Sequence, residues 1–327
     1  NLKFNILDKI LMNRIEEQAD IIGFKKLHRV GTYGSYLSLY SQDHYCPDYR
    51  SGGVTQLLSL SIVTYAPDLA LLSTVLAHLS RALHYAHQHG LLTDARLVLV
   101  DNGPGTAWRE PLQRVLNNAA LPARAELLSG HGNVGYGAGH NLALQQCQGD
   151  CHLILNPDVL VAEDALSAGL AFLATHPEAG LVTPAAWSQD GQRQYLCKDY
   201  PSVLDLALRG FAPAKLRRRF QIRLDRYELR DQTHDTVFWN PPIASGCFML
   251  CRRTALDQVE GFRPDYFLYF EDFDLSLRLA AITRLAYVPT VRIIHLGGHA
   301  ARKGIHHIGL FLRAATLFFN QHGWQWW

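Results

Sequence analysis

From Leu57 onward the chain repeats one unit: a near-continuous apolar run, a turn, then a longer stretch with apolar residues at helical spacing. LLSLSIVTYAP reads as a strand that breaks at Pro67 and Asp68 into the helix LALLSTVLAHLSRALHYAHQHG, which Gly90 ends. ARLVLVDNGPG is a second strand falling into a Gly-Pro-Gly turn. A helix, the strand AELLSG, a glycine-rich loop, the helix NLALQQCQ and the strand CHLILNPDVL follow. Strands that are apolar on both faces must be covered on both faces. The alternation therefore predicts an α/β fold, a mostly parallel sheet with helices on both sides. Open sheets of that kind bind ligands beyond the carboxyl ends of their strands. Thr64, Tyr65, Asp101, Asn102 and the triplet Asn156, Pro157, Asp158 all fall at such ends.

Composition bounds the partners. The 327 residues are 48% hydrophobic and 18% charged, which suits a soluble protein of one or two domains. A formal charge of +2 argues against a general nucleic-acid binder. The charge is uneven, with eight Lys or Arg between Arg209 and Arg230 against only Asp225 and Glu228. Such a run is a solvated helix face or an attractor of anionic membrane or phosphate. The most apolar window is interrupted by Pro67 and Asp68, so no transmembrane helix is expected, and NLKFNILDKI lacks the order of a signal peptide. Cys147/Cys151 and Cys247/Cys251 form C-x3-C pairs, a spacing that favours buried reduced thiols in a cytosolic protein over zinc. Residues 1–53 read as an N-terminal extension of one helix plus irregular structure, 54–300 as the main domain and 301–327 as a basic, aromatic helical tail.

The motifs each carry two readings. Gly130, Gly132 and Gly135 match G-x-G-x-x-G, yet on the third strand of the alternation and with the next acidic residue, Asp150, too near for a dinucleotide site. They make a tight loop, or let backbone approach a phosphate or sugar. Asp158 is a turn residue, or a carboxylate at a rigid strand end that holds a divalent ion on a diphosphate. Asp101 is a turn former, or an acceptor for the N–H of a nucleotide base. His295 ends an apolar strand and pairs plausibly with Asp158 as a metal ligand. The segment FLYFEDFDLSLRL (267–279) sets Glu271, Asp272 and Asp274 among aromatics and leucines. Burying unpaired carboxylates is expensive, so they are a helix start, ion-paired or used.

Taken in order, these pieces resemble family 2 of the glycosyltransferases, the inverting class with the GT-A type nucleotide-diphospho-sugar-binding fold. The resemblance rests on IVTYA, VDNGP, NVGYGAGHN (133–141), LNPDVL, SGCFMLCRR (245–253), GFR (261–263), FLYFEDFDLSLR (267–278) and FFNQHGW, and spans residues 57–325. Within the family it is most similar to bacterial O-antigen rhamnosyltransferases. Two positions depart from the common pattern: Ala66 stands where Asn is usual, and Asn156 replaces the first Asp of D-x-D, as in the rhamnosyltransferase branch.

The resemblance implies transfer of a sugar, L-rhamnose from dTDP-L-rhamnose, to a polyprenyl-diphosphate-linked glycan in bacterial cell-surface polysaccharide synthesis. It implies Asp272 as general base, with Glu271 orienting the acceptor or pairing a cation. Burial among Phe270 and Phe273 would raise the carboxylate's pKa. Asp274 is expected to cap the helix and order Arg278. Donor nucleotide contacts are expected at Thr64, Tyr65, Asp101, Asn102, Asn133, Gly135 and Asn141. Asp158 and His295 are expected to hold Mg²⁺ or Mn²⁺, and Trp239, Ser245 and Gly246 to lie on the acceptor side. A cytoplasmic protein, peripheral at the inner membrane face, would suit that acceptor. The same chemistry with a UDP-hexose stays open, as does a non-catalytic sugar-nucleotide binder. A nucleotidyltransferase would need a basic glycine-rich loop after the first strand, and TYAPDLALL has none.

Overall fold

The computed structural model describes residues 56–297 and 305–327. The extension expected over 1–53, together with His299, Arg302 and Lys303, lies outside the described residues. Strand β1 (Gln56–Thr64) leads into α1 (Leu69–Gln88), β2 (Leu92–Asp101) into α2 (Arg109–Asn118), and β3 (Arg124–Leu128) into α3 (Tyr136–Gln146). Next come β4 (Cys151–Leu155), β5 (Val159–Val161), α4 (Ala165–Thr175), β6 (Ala179–Trp187), β7 (Arg193–Gln194) and β8 (Cys197–Lys198). Three short helices follow, α5 (Val203–Phe211), α6 (Ala214–Arg219) and α7 (Gln221–Tyr227). The chain continues through β9 (Phe238–Trp239), β10 (Ile243–Ala244), β11 (Phe248–Arg252) and α8 (Arg253–Gln258). It then forms α9 (Glu271–Ala280), β12 (Arg284–His295) and α10 (Ile305–His322).

Among the described residues the main sheet runs β3-β2-β1-β4-β11-β6-β12-β5, with β7 on β6 and β9 on β12. The pairs β3–β2, β2–β1, β1–β4 and β6–β12 are parallel, so their carboxyl ends share one edge. β11 runs antiparallel between β4 and β6 and therefore starts at that same edge. Helices α1 and α4 cover one face, α3 and α9 the other. The expected mostly parallel sheet with two covered faces is the fold observed. Local signals act where they were read. Asp68 caps α1 by accepting from the N–H of Ala70 and Leu71 at 2.9 and 3.1 Å, and Gly90 turns the chain at φ 71°.

One expectation fails in an informative way. CHLILNPDVL is not a single strand; it breaks at Asn156, Pro157 and Asp158. Pro157 has no N–H to give to a ladder. After the break β5 crosses to the far edge of the sheet and pairs antiparallel with the end of β12, Val159 opposite His295.

The charges of the FLYFEDFDLSLRL segment also separate here. Asp274 is not a helix cap: Phe270 occupies that position with no side-chain cap bond. Asp274 is wholly buried and orders Arg278, whose Nε donates to Oδ2 at 2.7 Å. His322 of α10 meets Oδ1 at 2.9 Å, and Arg263 approaches it at 3.8 Å. Arg278 also donates to the carbonyls of Val259 and Gly261 at 2.6 and 2.8 Å. A buried carboxylate thus joins α9, α10 and the turn before α9. Replacing Asp274 by Ala leaves Arg278 buried without its counter-charge. The expected loss is about 3–5 kcal/mol of unfolding free energy, read by urea denaturation.

Candidate active site

Helix α9 begins abruptly. Tyr269 and Phe270 both sit in the left-handed region, at φ 73° and 63°, and the helix then opens with Glu271 and Asp272. Two non-glycine residues in that conformation persist only because packing holds them. Phe270 stacks against Phe311 and Phe318 of α10 with ring centroids 5.2 and 5.3 Å apart. Held this way, the half-buried Asp272 receives the Gly246 N–H on Oδ2 at 2.8 Å and the Phe273 N–H on Oδ1 at 3.0 Å.

The two neighbouring carboxylates are not equivalent. Glu271 is buried, and its Oε2 has no hydrogen-bond partner among the described residues. Burial first, and the Asp272 charge second, push its pKa up to about 8. Burial also raises Asp272, but the N–H groups of Gly246 and Phe273 stabilise its anion and oppose the rise. The two N–H groups therefore favour the charge on Asp272 and the proton on Glu271. A carboxyl raised in the folded state binds its proton longer there than in the unfolded chain. Its contribution to stability is therefore lost as pH rises from 4.5, the ordinary value, to about 8. Glu271→Gln removes that slope. Across this window wild type should lose stability relative to the variant by up to about 1.4 kcal/mol per pH unit, measured by denaturation at several pH values.

Tyr136, the first residue of α3, joins this corner to the end of β4. Its hydroxyl lies 2.7 Å from Asn156 Oδ1 and 2.7 Å from the Gly246 carbonyl, sharing its one proton between them. Burial, then the charges of Glu271 and its neighbours, raise its pKa well above the ordinary phenol value, so it stays a donor. Gly246 lies directly against Asp272: a Cβ there would sit 3.1 Å from Asp272 Cβ and 3.4 Å from its Oδ2. Gly246→Ala should move Asp272 by a few tenths of an ångström. The expected result is a drop in turnover of about tenfold or more with little change in melting temperature, since misplaced catalytic groups are costly.

Asp158 and His295 are brought together by the β5–β12 pairing. The Leu296 N–H donates to the Asp158 carbonyl at 2.9 Å, and Asp158 Oδ1 lies 3.7 Å from His295 Nε2. Burial lowers the His295 pKa, although Asp158 opposes this, so the ring is neutral. Its Nδ1 faces Gln194 Oε1 at 2.9 Å, and Gln194 Nε2 donates to the His295 carbonyl at 2.9 Å. That clamp puts the ring proton on Nδ1 and turns the Nε2 lone pair toward Asp158. Asp158 Oδ1 is buried with no hydrogen-bond partner among the described residues. Two electron-rich atoms facing each other fit a cation shared between them. Gly297 keeps the space open, since a Cβ there would fall 2.1 Å from Asp158 Oδ2. Among the described residues no group of three His, Cys, Asp or Glu surrounds a metal position, so this pair would supply only part of a coordination shell.

The remaining expected residues divide. Tyr65 is exposed beyond β1. Asp101 is buried and accepts the Gly103 N–H at 2.8 Å, the turn role. The Thr64 carbonyl accepts from the Asn102 N–H at 2.9 Å, which staples β1 to β2. The Asn102 amide donates to the Gly135 carbonyl at 2.8 Å and meets His131 at 2.9 Å. Asn133 bonds the Gly135 N–H at 3.1 Å, and Gly135, at φ 93°, lies so near Phe267 that a Cβ would approach its carbonyl oxygen to 2.4 Å. The glycine loop and the loop before α9 thus touch. Asn141 sits apart: its amide donates to and accepts from the Phe262 backbone at 2.6 and 2.9 Å. Ser245 borders Gly246 and donates its N–H to the Leu196 carbonyl at 3.0 Å. Trp239 is not brought to this edge. It pairs with Ala286 near the start of β12, and because Val288 and Arg292 pair with adjacent residues of β6, the strand from Ala286 to His295 advances only about six steps, roughly 20 Å. There it packs under Arg284, whose guanidinium lies 4.2 Å from the ring. Tyr136 lies inside the NVGYGAGHN motif yet was not singled out, and nothing in the local sequence marks Gln194, which sits on a two-residue strand.

Comparison with known proteins bears on this arrangement. The profile of glycosyl transferase family 2 matches residues 73–260, more than half of the chain and ending before Glu271. The chain is 28% identical over 289 residues to the N-acetylglucosaminyl-diphospho-decaprenol L-rhamnosyltransferase of Mycobacterium tuberculosis, covering 84% of this chain and 87% of that protein. It is 28% identical to the rhamnosyltransferase WbbL of Escherichia coli K12, covering 55% of this chain and 67% of that one. Among solved structures it superposes on the mannosyltransferase PcManGT from Pyrobaculum calidifontis in complex with GDP-Man and Mn²⁺. The TM-score is 0.52 at 16% identity, with 90% of this chain and 83% of that one covered.

Proposed function

The chain belongs to glycosyl transferase family 2, and from that premise we propose that it is an inverting rhamnosyltransferase. The donor in this reading is dTDP-L-rhamnose, and the acceptor is a hydroxyl of a polyprenyl-diphosphate-linked glycan. The protein works as a peripheral protein at the inner face of the bacterial cytoplasmic membrane. The observation that carries the chemistry is the Glu271–Asp272 pair, with the charge localised on Asp272 by the Gly246 and Phe273 N–H groups. The two rhamnosyltransferases above, one named for a decaprenol-linked substrate, support the choice of sugar and acceptor.

Inverting transfer is one in-line displacement at the anomeric carbon. Asp272 takes the proton of the attacking hydroxyl, and its raised pKa makes it a better base than an exposed carboxylate. Glu271, protonated, leaves the pair with a single negative charge and can donate to the acceptor sugar. On the donor side, the exposed Tyr65 ring borders the base of the nucleotide, and Asp101 offers the oxygen not used by Gly103 to a base N–H. Asn102, Asn133 and Gly135 shape the loop beside it. Asp158 Oδ1 and His295 Nε2 are the ligands this chain offers to Mg²⁺ or Mn²⁺, with diphosphate oxygens and water for the rest of the shell. Such an ion, when bound, neutralises charge developing on the departing diphosphate. Gln194 keeps the His295 ring neutral and aimed. Ser245 and Gly246 line the acceptor side beside Asp272.

The deciding assay follows nucleoside-diphosphate release from dTDP-L-rhamnose and from UDP-glucose, UDP-galactose and UDP-GlcNAc, with a GlcNAc-diphospho-lipid acceptor. Turnover is expected with dTDP-L-rhamnose, falling about 10²–10⁴-fold in Asp272→Asn while nucleotide binding persists. Turnover only with a UDP-sugar would keep the base and discard the donor. An Asp272→Asn enzyme at wild-type rate would discard the base.

A further inference from the structure

We propose that α5, α6, α7, the outer side of α10 and the residues that follow it form a docking surface for an anionic phospholipid bilayer. Thirteen large hydrophobic side chains are exposed among the described residues, and eight of them lie here. They are Phe211, Leu216 and Ile222 on the short helices, Ile308 and Leu312 on α10, and three tryptophans at 324, 326 and 327. Exposed apolar side chains scattered singly are ordinary; a concentration on one face marks an interaction site.

The elements are tied into one surface. Val203 and Leu204 at the start of α5 donate their N–H groups to the carbonyls of Gln325 and Trp326 at 2.8 and 3.2 Å. At the other end of α5, the Phe211 ring lies 6.5 Å from that of Phe311. Trp324 stacks between Phe319 and Trp326 with centroids 5.0 Å from each.

Charge selects the occupant. Arg223 is committed to Asp205, Arg209 to Glu228, and Arg230 to Asp225 and Glu228. Lys215, Arg217, Arg218, Arg219 and Arg226 are exposed and make no ion pair among the described residues. A second copy of this face would repel itself. Acidic head groups satisfy both features, with cations at the phosphates and aromatic rings at the interface. No described helix is long and apolar enough to cross a membrane, so the contact is with the bilayer surface.

The placement also suits the chemistry. The inner side of α10 carries Phe311 and Phe318 against Phe270, the residue just before Glu271. The base thus lies about one helix diameter, roughly 10 Å, from the docking face. An acceptor anchored in the bilayer can reach it without leaving the lipid. This deepens the peripheral placement proposed above and is independent of which sugar moves.

The test sediments the full chain with vesicles of phosphatidylcholine, with and without phosphatidylglycerol. Wild type is expected to pellet only with the anionic lipid. The triple variant Arg217→Ser, Arg218→Ser, Arg219→Ser should bind about 100-fold more weakly. The double variant Ile222→Ser, Leu312→Ser should bind at least about tenfold more weakly, at high salt as well. With a short-chain, water-soluble acceptor both variants should turn over like wild type, which separates failed docking from a wrong reading of the transfer reaction. Wild type left in the supernatant with anionic vesicles would overturn the proposal. So would a triple variant that binds equally, or a wild-type dimer that Ile222→Ser converts to monomer, which would assign the face to a second copy.

Discussion

The buried Asp274 carboxylate is the constraint around which the corner that carries Glu271 and Asp272 is built. An isolated charge in a dry interior is costly, and it persists here because Arg278 and His322 each bond one of its oxygens. Those partners come from different places. Arg278 lies one turn along the same helix and carries the carbonyls of Val259 and Gly261. His322 comes from the far end of α10. Satisfying one carboxylate therefore orders the turn before α9 and seats α10 against it. Asn141 adds a second brace by bonding the Phe262 backbone in both directions.

That rigidity explains how Tyr269 and Phe270 are held in left-handed backbone conformations immediately before Glu271 and Asp272. The stack of Phe311 and Phe318 on Phe270 supplies contacts that outweigh the local strain. The reward is an unblocked first helical turn next to Gly246, where one carboxylate is stabilised as an anion and its neighbour keeps a proton. Two acidic residues adjacent in sequence thus sit in different surroundings: Asp272 meets the N–H groups of Gly246 and of Phe273 in its own helix, whereas burial dominates at Glu271.

The Asp158–His295 pair follows a different logic. The two residues are far apart in sequence; Asp158 immediately precedes β5 and His295 ends β12. Pro157 ends β4, β5 crosses to the edge of the sheet, and antiparallel pairing with β12 sets Asp158 beside His295. Gln194 then fixes the ring tautomer. The glycine loop, the start of β11 and the start of α9 converge on one sheet edge, with the Tyr136 hydroxyl bonding Gly246 before β11 and Asn156 after β4.

Much of this was legible in the chain itself. Strand-helix alternation with doubly apolar strands requires a sheet covered on both faces, and strand polarity sends Thr64, Asp101 and Asp158 to one edge, because both follow from short-range pattern and the need to bury apolar surface. The motif order likewise pointed to glycosyl transferase family 2. What the sequence could not decide depends on contacts between residues distant along the chain. Asp274 reads as a helix cap until His322 arrives from another helix. CHLILNPDVL reads as one strand until β12 draws its end away. Trp239 reads as an acceptor contact until its pairing with Ala286 puts it at the other end of β12. Gln194 carries no local signal at all. Local sequence sets which way a strand runs and which face is apolar. Which partner satisfies a buried charge or an open strand edge is decided only when the whole chain has packed.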